Sequence, residues 1–259
     1  LGQSMKISDV KGNLLDLKPS EEMAFAGGHL YAFDYMWDKK SIRTSDDYQA
    51  EWKIDMPEGK EDVFMNLWMK GTEGREVFSI KSPPNKAFKH GGNLPYDVGK
   101  APYLTIAARQ HGEAWEHPFI SVYEPFTSTK GKSVKSITSF EDENGSKEFA
   151  GLNIINKSGR EDYIFSSYDN KKVSYKNMSS NATYALIGTE KNNDFVLFMG
   201  NGTELITNGI TISSKEKGNV VLEKKEGKLF LNNEVTVVIK VGNKEKTFKV
   251  GNFRTISIN

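Results

Sequence analysis

Four histidines, His29, His90, His111 and His117, and the absence of cysteine bound the chemistry open to this chain. Without cysteine there is no disulfide, no thiolate metal site and no cysteine nucleophile. His111 and His117 lie six residues apart around a glycine-containing turn and could face each other across a hairpin. They lack a third ligand at a recognisable spacing, so no metal site is expected and they read as solvated loop histidines. The segment 86–97, KAFKHGGNLPYD, puts His90 and Tyr96 in a long loop with two lysines and paired glycines. Loops carried on rigid scaffolds often bind or react. Arg109, His111 and Trp115 cluster at a neighbouring turn. Arginine suits two-pronged contact with a carboxylate or sulfate, and tryptophan suits stacking on a sugar ring. His90, Tyr96, Arg109, His111 and Trp115 are therefore the candidate contacts to an acidic sugar. The plainer alternative makes 86–97 a connecting loop, pairs Arg109 with Glu113 or Glu116, and uses Trp115 to plug a sheet edge. No residue is assigned a catalytic role.

The elements that must hold these groups are strands. In 101–126, Leu104, Ile106 and Ala108 alternate with Tyr103, Thr105, Ala107 and Arg109, the period of a half-buried strand. Ile120 and Val122 repeat the pattern, so the segment reads as two strands joined around His111-Gly112-Glu113, with Pro125 expected to end the pairing. In 48–56, Tyr48, Ala50, Trp52, Ile54 and Met56 share a face opposite Gln49, Glu51, Lys53 and Asp55. Residues 63–69 carry large apolar groups on both faces, as the middle of a sandwich would. Further strands are expected at 30–36, 77–80, 134–140, 149–155 and 162–167. The Ser/Asn-rich run 177–181 reads as a linker or long turn.

Beyond that run the strands shorten: 184–188, 195–199, 210–212, 220–223, 229–231, 235–241, 247–250 and 255–258. Gly200-Asn201-Gly202, Asn208-Gly209, Glu226-Gly227, Asn232-Asn233 and Gly242-Asn243 read as the turns between them. The only weak helical candidate is 19–25. The fold expected is all-β: a large antiparallel β-sandwich over 1–172, then a smaller C-terminal β-sandwich or β module over 173–259. The N-x-[ST] sites at Asn156, Asn177, Asn181 and Asn201 read as polar turns.

Composition narrows the partners. The 35 basic and 34 acidic residues leave a net charge of +1, which argues against electrostatic nucleic-acid binding. A polyanion would need a local cluster of Lys and Arg. No apolar run approaches the roughly twenty residues of a membrane-spanning helix. The chain begins Leu1-Gly-Gln-Ser-Met5, without a basic region and apolar stretch, and reads as a mature or excised piece. Nucleophile elbows, phosphate loops and EF-hand loops are absent from the sequence.

From Leu30 to about Phe198 the chain resembles the C-terminal β region of heparinase II/III-like polysaccharide lyases. Leu30-Tyr-Ala-Phe-Asp34, Tyr48-x-x-x-Trp52, Phe119-Ile-Ser-Val-Tyr-Glu-Pro125, Asp162-Tyr-Ile-Phe165, and Tyr184-Ala-Leu186 followed by Phe198-Met-Gly-Asn-Gly-Thr203 carry the likeness by order and spacing. The resemblance implies a role in β-elimination on acidic, uronate-containing glycans, with this sandwich walling a substrate cleft against an upstream α/α toroid. The family's His-rich passage, which contributes to its catalytic and zinc sites, has no counterpart here. The resemblance therefore implies a fragment with no cofactor of its own and no activity alone, zinc belonging to the upstream part of a parent enzyme. Acidic polysaccharide and the α/α catalytic domain are the expected partners, and the bacterial periplasm or exterior the expected location. A stand-alone glycan-binding sandwich or a structural domain of a surface protein are the alternatives.

Overall fold

The computed structural model describes residues 2–20, 36–83, 102–113 and 116–258. Its first eight strands are β1 (Gln3–Asp9), β2 (Lys18–Pro19), β3 (Trp37–Arg43), β4 (Tyr48–Ile54), β5 (Val63–Met69), β6 (Glu76–Ser82), β7 (Tyr103–Arg109) and β8 (Ser121–Thr127). Alternation sorts them into two antiparallel sheets, β1-β4-β5-β8 and β2-β3-β6-β7. Tyr48, Ala50, Leu67 and Met69 from one sheet pack with Val77, Ile42 and Ile106 from the other. Burying one face of each sheet on the other is what an alternating sequence dictates. β5 lies between β4 and β8 and buries both faces, Leu67 inward and Trp68 outward.

Residues 101–126 do contain two strands, but not a hairpin. β7 pairs with β6 in one sheet and β8 with β5 in the other, so the connection crosses between sheets. Pro125 does not end the pairing: it sits opposite Met65 in β8, which runs on to Thr127. Because β8 is an edge strand, its missing N–H can face away from the ladder. Of the weak helical candidate, Pro19 lies in β2 and 21–25 lie outside the described residues, as do 30–35 of the strand expected at 30–36.

The remaining strands are β9 (Val134–Phe140), β10 (Phe149–Asn156), β11 (Glu161–Ser167), β12 (Val173–Tyr175), β13 (Met178–Ser180), β14 (Tyr184–Thr189), β15 (Phe195–Thr207), β16 (Ile210–Lys225), β17 (Lys228–Asn233), β18 (Val237–Val241), β19 (Lys244–Phe248) and β20 (Gly251–Ile256). They form one continuous sheet folded over itself. The first half of β15 pairs with β14 and its second half with β13; β16 pairs first with β18 and then with β17. The long β15–β16 ribbon thus passes from one layer to the other. Leu197, Met199, Leu222 and Phe165 from one layer meet Leu205, Ile212, Val237 and Ile239 from the other in a single core.

Two turns expected from sequence are strand instead: Asn232-Asn233 closes β17, paired with Val221 and Val220, and the other lies in β15. Gly200-Asn201-Gly202 is a bulge within β15, where the register with β16 shifts on both sides of Gly202. Residues 210–212 and 220–223 belong to the same strand, β16. A side chain at Gly202 would put its Cβ 2.6 Å from Ala182 Cα, so the close approach itself demands glycine. Residues 177–181 are not a linker either, since Met178–Ser180 is a buried strand. The polar groups there are satisfied: Ser180 Oγ donates to Glu204 O at 3.0 Å, and Asn181 Oδ1 accepts the N–H groups of Thr203 and Glu204 at 2.9 Å. The chain divides into compact units at Leu1–Lys132 and Ser133–Asn259. The division comes before 172 because β9, β10 and β11 extend the sheet begun by β14.

Candidate functional site

The β3–β4, β5–β6 and β7–β8 connections gather at one end of the first unit around Arg75, which is wholly buried. Its Nε donates to Gln110 Oε1 at 3.2 Å, Nη1 to Lys70 O at 3.2 Å and Nη2 to His117 O at 3.3 Å. The guanidinium carbon lies 4.3 Å from the centre of the Phe119 ring. No carboxylate pairs with Arg75 among the described residues. Burial holds its pKa below the ordinary guanidinium value. Burial also pushes the neighbouring Tyr48 hydroxyl up to about 12, and that hydroxyl donates to Met69 Sδ at 3.1 Å. Asp47 accepts the Gly71 N–H at 2.9 Å, and a Cβ on Gly71 would lie 2.2 Å from Ser45 O. Tight backbone approach and a buried cation make this end a fixed platform.

Arg109 stands on the rim of that platform. Its Nη2 meets Glu76 Oε2 at 2.5 Å and its Nε the same oxygen at 3.2 Å. The two residues are register partners across β6 and β7, and the Glu76 carboxylate is buried. The Arg109 guanidinium also lies 5.2 Å from the Phe78 ring centre. The partner is thus Glu76 rather than Glu113 or Glu116. His111 is exposed, two residues along. The His117 ring sits 3.2 Å from where a Gly112 Cβ would be, folded against that turn. His90, Tyr96 and Trp115 lie outside the described residues. The ends of the 84–101 segment, Pro83 and Pro102, lie at the far end of β6 and β7 from Arg109, about 20 Å away for seven residues of strand. Among the described residues no three His, Asp or Glu side chains converge where a metal ion could be held.

The second unit offers a different kind of place. An open recess of about 240 Å³ is floored by Gly188 and Val196 and walled by Arg160, Glu190, Glu223 and Lys225. Gly188 makes the room: a Cβ there would lie 2.6 Å from Asp162 Oδ1 and 3.2 Å from Arg160 Nη2. Arg160 Nε donates to both Asp162 oxygens, at 2.9 and 3.0 Å, and Nη1 to Glu190 Oε1 at 3.4 Å. The sequence reading missed this recess because its parts come from turns and strands up to 65 positions apart, from Arg160 to Lys225. The one local cue, Arg160-Glu161-Asp162 at a strand start, is indistinguishable from a solvated turn.

On this fold the comparisons with known proteins converge on one class. Residues 134–224 match the family model of the endo-acting ulvan lyase C-terminal domain, all of it within the second unit. The chain is similar to the C-terminal region of polysaccharide lyases. It is 30% identical to an endo-acting ulvan lyase of Formosa agariphila over 174 residues, which are 64% of this chain and 20% of that protein. The chain matches about one fifth of the length of this curated relative. No helix among the described residues is long and apolar enough to cross a membrane.

Proposed function

We propose that this chain is the C-terminal β region of a polysaccharide lyase that cleaves acidic, uronate-containing glycans by β-elimination. The observation that carries the reading is the family match over 134–224. Ulvan, the substrate in the name of the Formosa agariphila relative, is the first glycan to test. In this reading the sandwiches wall the substrate cleft and brace an α/α catalytic domain of the heparinase II/III type. The reading carries with it a periplasmic or extracellular location, where a bacterium meets polymeric substrate.

β-Elimination needs a base for the proton α to the carboxylate, a group that neutralises the carboxylate, and an acid for the leaving oxygen. The arrangement of described residues supports a supporting role over these three. Arg75, the buried cation of the first unit, is engaged in holding its loops together. His111, with Arg109, His90, Tyr96 and Trp115, remains the proposed first-unit contact with acidic sugar.

Ultraviolet absorbance of unsaturated uronate products tests the reading. Ulvan is expected to yield such products with a lyase that carries this region joined to a catalytic domain, and none with the 259 residues alone. Robust turnover by the chain alone would overturn the supporting role.

A further inference from the structure

Beyond this role as a wall, the outer face of the second unit has the features of a glycan contact surface. Register defines that face. Asp162 pairs with Gly188, Gly188 with Val196, Val196 with Glu223, and Glu223 with Phe230, so these side chains line up on one side of the sheet. It is the side opposite the core, because the alternating positions Ile187, Leu197 and Leu222 are the buried ones. Two features meet along this row. One is the recess over Gly188, where the Glu223 and Lys225 side chains make no hydrogen bond or ion pair with any described residue. The other is an aromatic step: the Phe230 and Phe253 rings stack in parallel, 5.3 Å between centres and 1° between planes. Phe253 is 57% exposed.

Lys225 is exposed and Glu223 half-buried, so water solvates both side chains until a ligand replaces it. A sugar uses both. Its hydroxyls donate to a carboxylate, and an acidic substituent accepts from an ammonium. A recess of this volume falls below the ~300–1,000 Å³ usual for an enclosed ligand, so it fits one ring of a longer chain rather than a whole molecule. An exposed, rigidly backed phenyl ring at the next strands supplies the apolar face on which a neighbouring ring can lie.

We infer that this face binds an acidic polysaccharide. One pyranose unit sits in the recess, with its hydroxyls on Glu223 and its carboxylate or sulfate on Lys225, and an adjoining unit lies over the Phe230–Phe253 pair. The inference rests on the lyase reading for the class of glycan but assigns a contact surface that the reading does not require.

Isothermal titration of the 259-residue chain with ulvan oligosaccharides, and with neutral laminarin oligosaccharides for comparison, tests it. Saturable binding to ulvan is expected, weakened about tenfold by Glu223→Gln and by Phe253→Ala, as loss of one charge-assisted hydrogen bond or one stacking contact implies. Tyr168→Ala is expected to leave binding unchanged, since Tyr168 is 83% exposed but follows β11 at the end opposite Arg160. Absence of saturable binding, equal affinity for laminarin, or binding untouched by both substitutions would each overturn the assignment. Failure here is separable from failure of the lyase reading. A longer protein that releases unsaturated products while this chain binds nothing would sink the surface alone.

Discussion

A buried guanidinium keeps its charge only where acceptors replace the water it has lost. Arg75 has three neutral acceptors, one in its own β5–β6 connection and two in the β7–β8 connection, and its carbonyl accepts the Thr44 N–H, which makes it the tie among the loops at one end of the first unit. Arg75→Leu would remove the charge yet strand the Lys70 and His117 carbonyls and the Gln110 amide. A loss of about 3 kcal/mol is expected. Urea unfolding followed by tryptophan fluorescence reads this cleanly, because Trp37, Trp52, Trp68 and Trp115 all belong to the first unit. An unshifted midpoint would show that Arg75 ties nothing. Tyr48 gives a pH signature. Its folded pKa of about 12 lies above the unfolded value near 10, so below pH 10 both states hold the proton and nothing changes. As pH rises from about 10 to 12 the unfolded chain releases the proton first, and stability falls by up to about 2 kcal/mol. Tyr48→Phe should flatten that part of the urea-midpoint profile; an equally steep profile in the variant would refute the assignment. Pairings of this kind were not legible beforehand. The sequence suggests Arg109 as a binding group because its partner, Glu76, lies 33 positions away and becomes a neighbour only through strand register.

Strands declare themselves through alternation: 48–54 reads with little error because Tyr48, Ala50, Trp52 and Ile54 share one face, and 63–69 because its large apolar groups stand on both faces. What alternation does not encode is which strand comes next in the sheet. The Gly200-Asn201-Gly202 run has the composition of a tight turn, and Asn201 does adopt a left-handed φ of 54°. It is a bulge instead, because Leu205 and Ile212 must continue the ribbon into the second layer of the same core. Gly202→Ala is expected to cost roughly 1–3 kcal/mol, since the added Cβ meets backbone at Ala182 rather than a side chain that can turn aside. Gly209→Ala makes the contrast: nothing lies within 4 Å of its Cβ, so only the φ of +76° is penalised, by about 1 kcal/mol. Circular dichroism melts of the two variants should rank in that order, and the reverse order would remove the bulge argument. Polar composition misled in the same way at 177–181. Asn181 satisfies two backbone N–H groups through Oδ1 and Thr203 Oγ1 through Nδ2, which lets a Ser/Asn run be buried as strand.

At the scale of the whole chain the question is which parts can stand alone. Each unit owns its core: Ile7, Tyr48, Leu67 and Val77 lie in one cluster, and Phe165, Leu197, Ile212 and Val237 in another, with no residue common to both. Among the described residues no sheet crosses the division, since β1–β8 and β9–β20 pair only among themselves. The class of protein was legible in short runs such as Asp162–Phe165 and Tyr184–Leu186, which fall inside the matched 134–224. The division was not. Residues 177–181 look more like a boundary than the modest Lys130-Gly131-Lys132 turn does, and only pairing of β11 with β14 reveals that the sheet runs through 172. A polypeptide of residues 133–259 should therefore fold by itself, give a β-type circular dichroism spectrum and melt in one cooperative step, as a domain with a closed core does. It contains no tryptophan. In the full chain, tryptophan fluorescence should thus follow only the first unit, and a difference between the fluorescence and circular dichroism midpoints is the expected mark of two cooperative blocks. A 133–259 polypeptide that stays unfolded would instead make Leu1–Lys132 part of its folding unit. The C-terminal module would then not be the self-sufficient piece that its core and its family match describe.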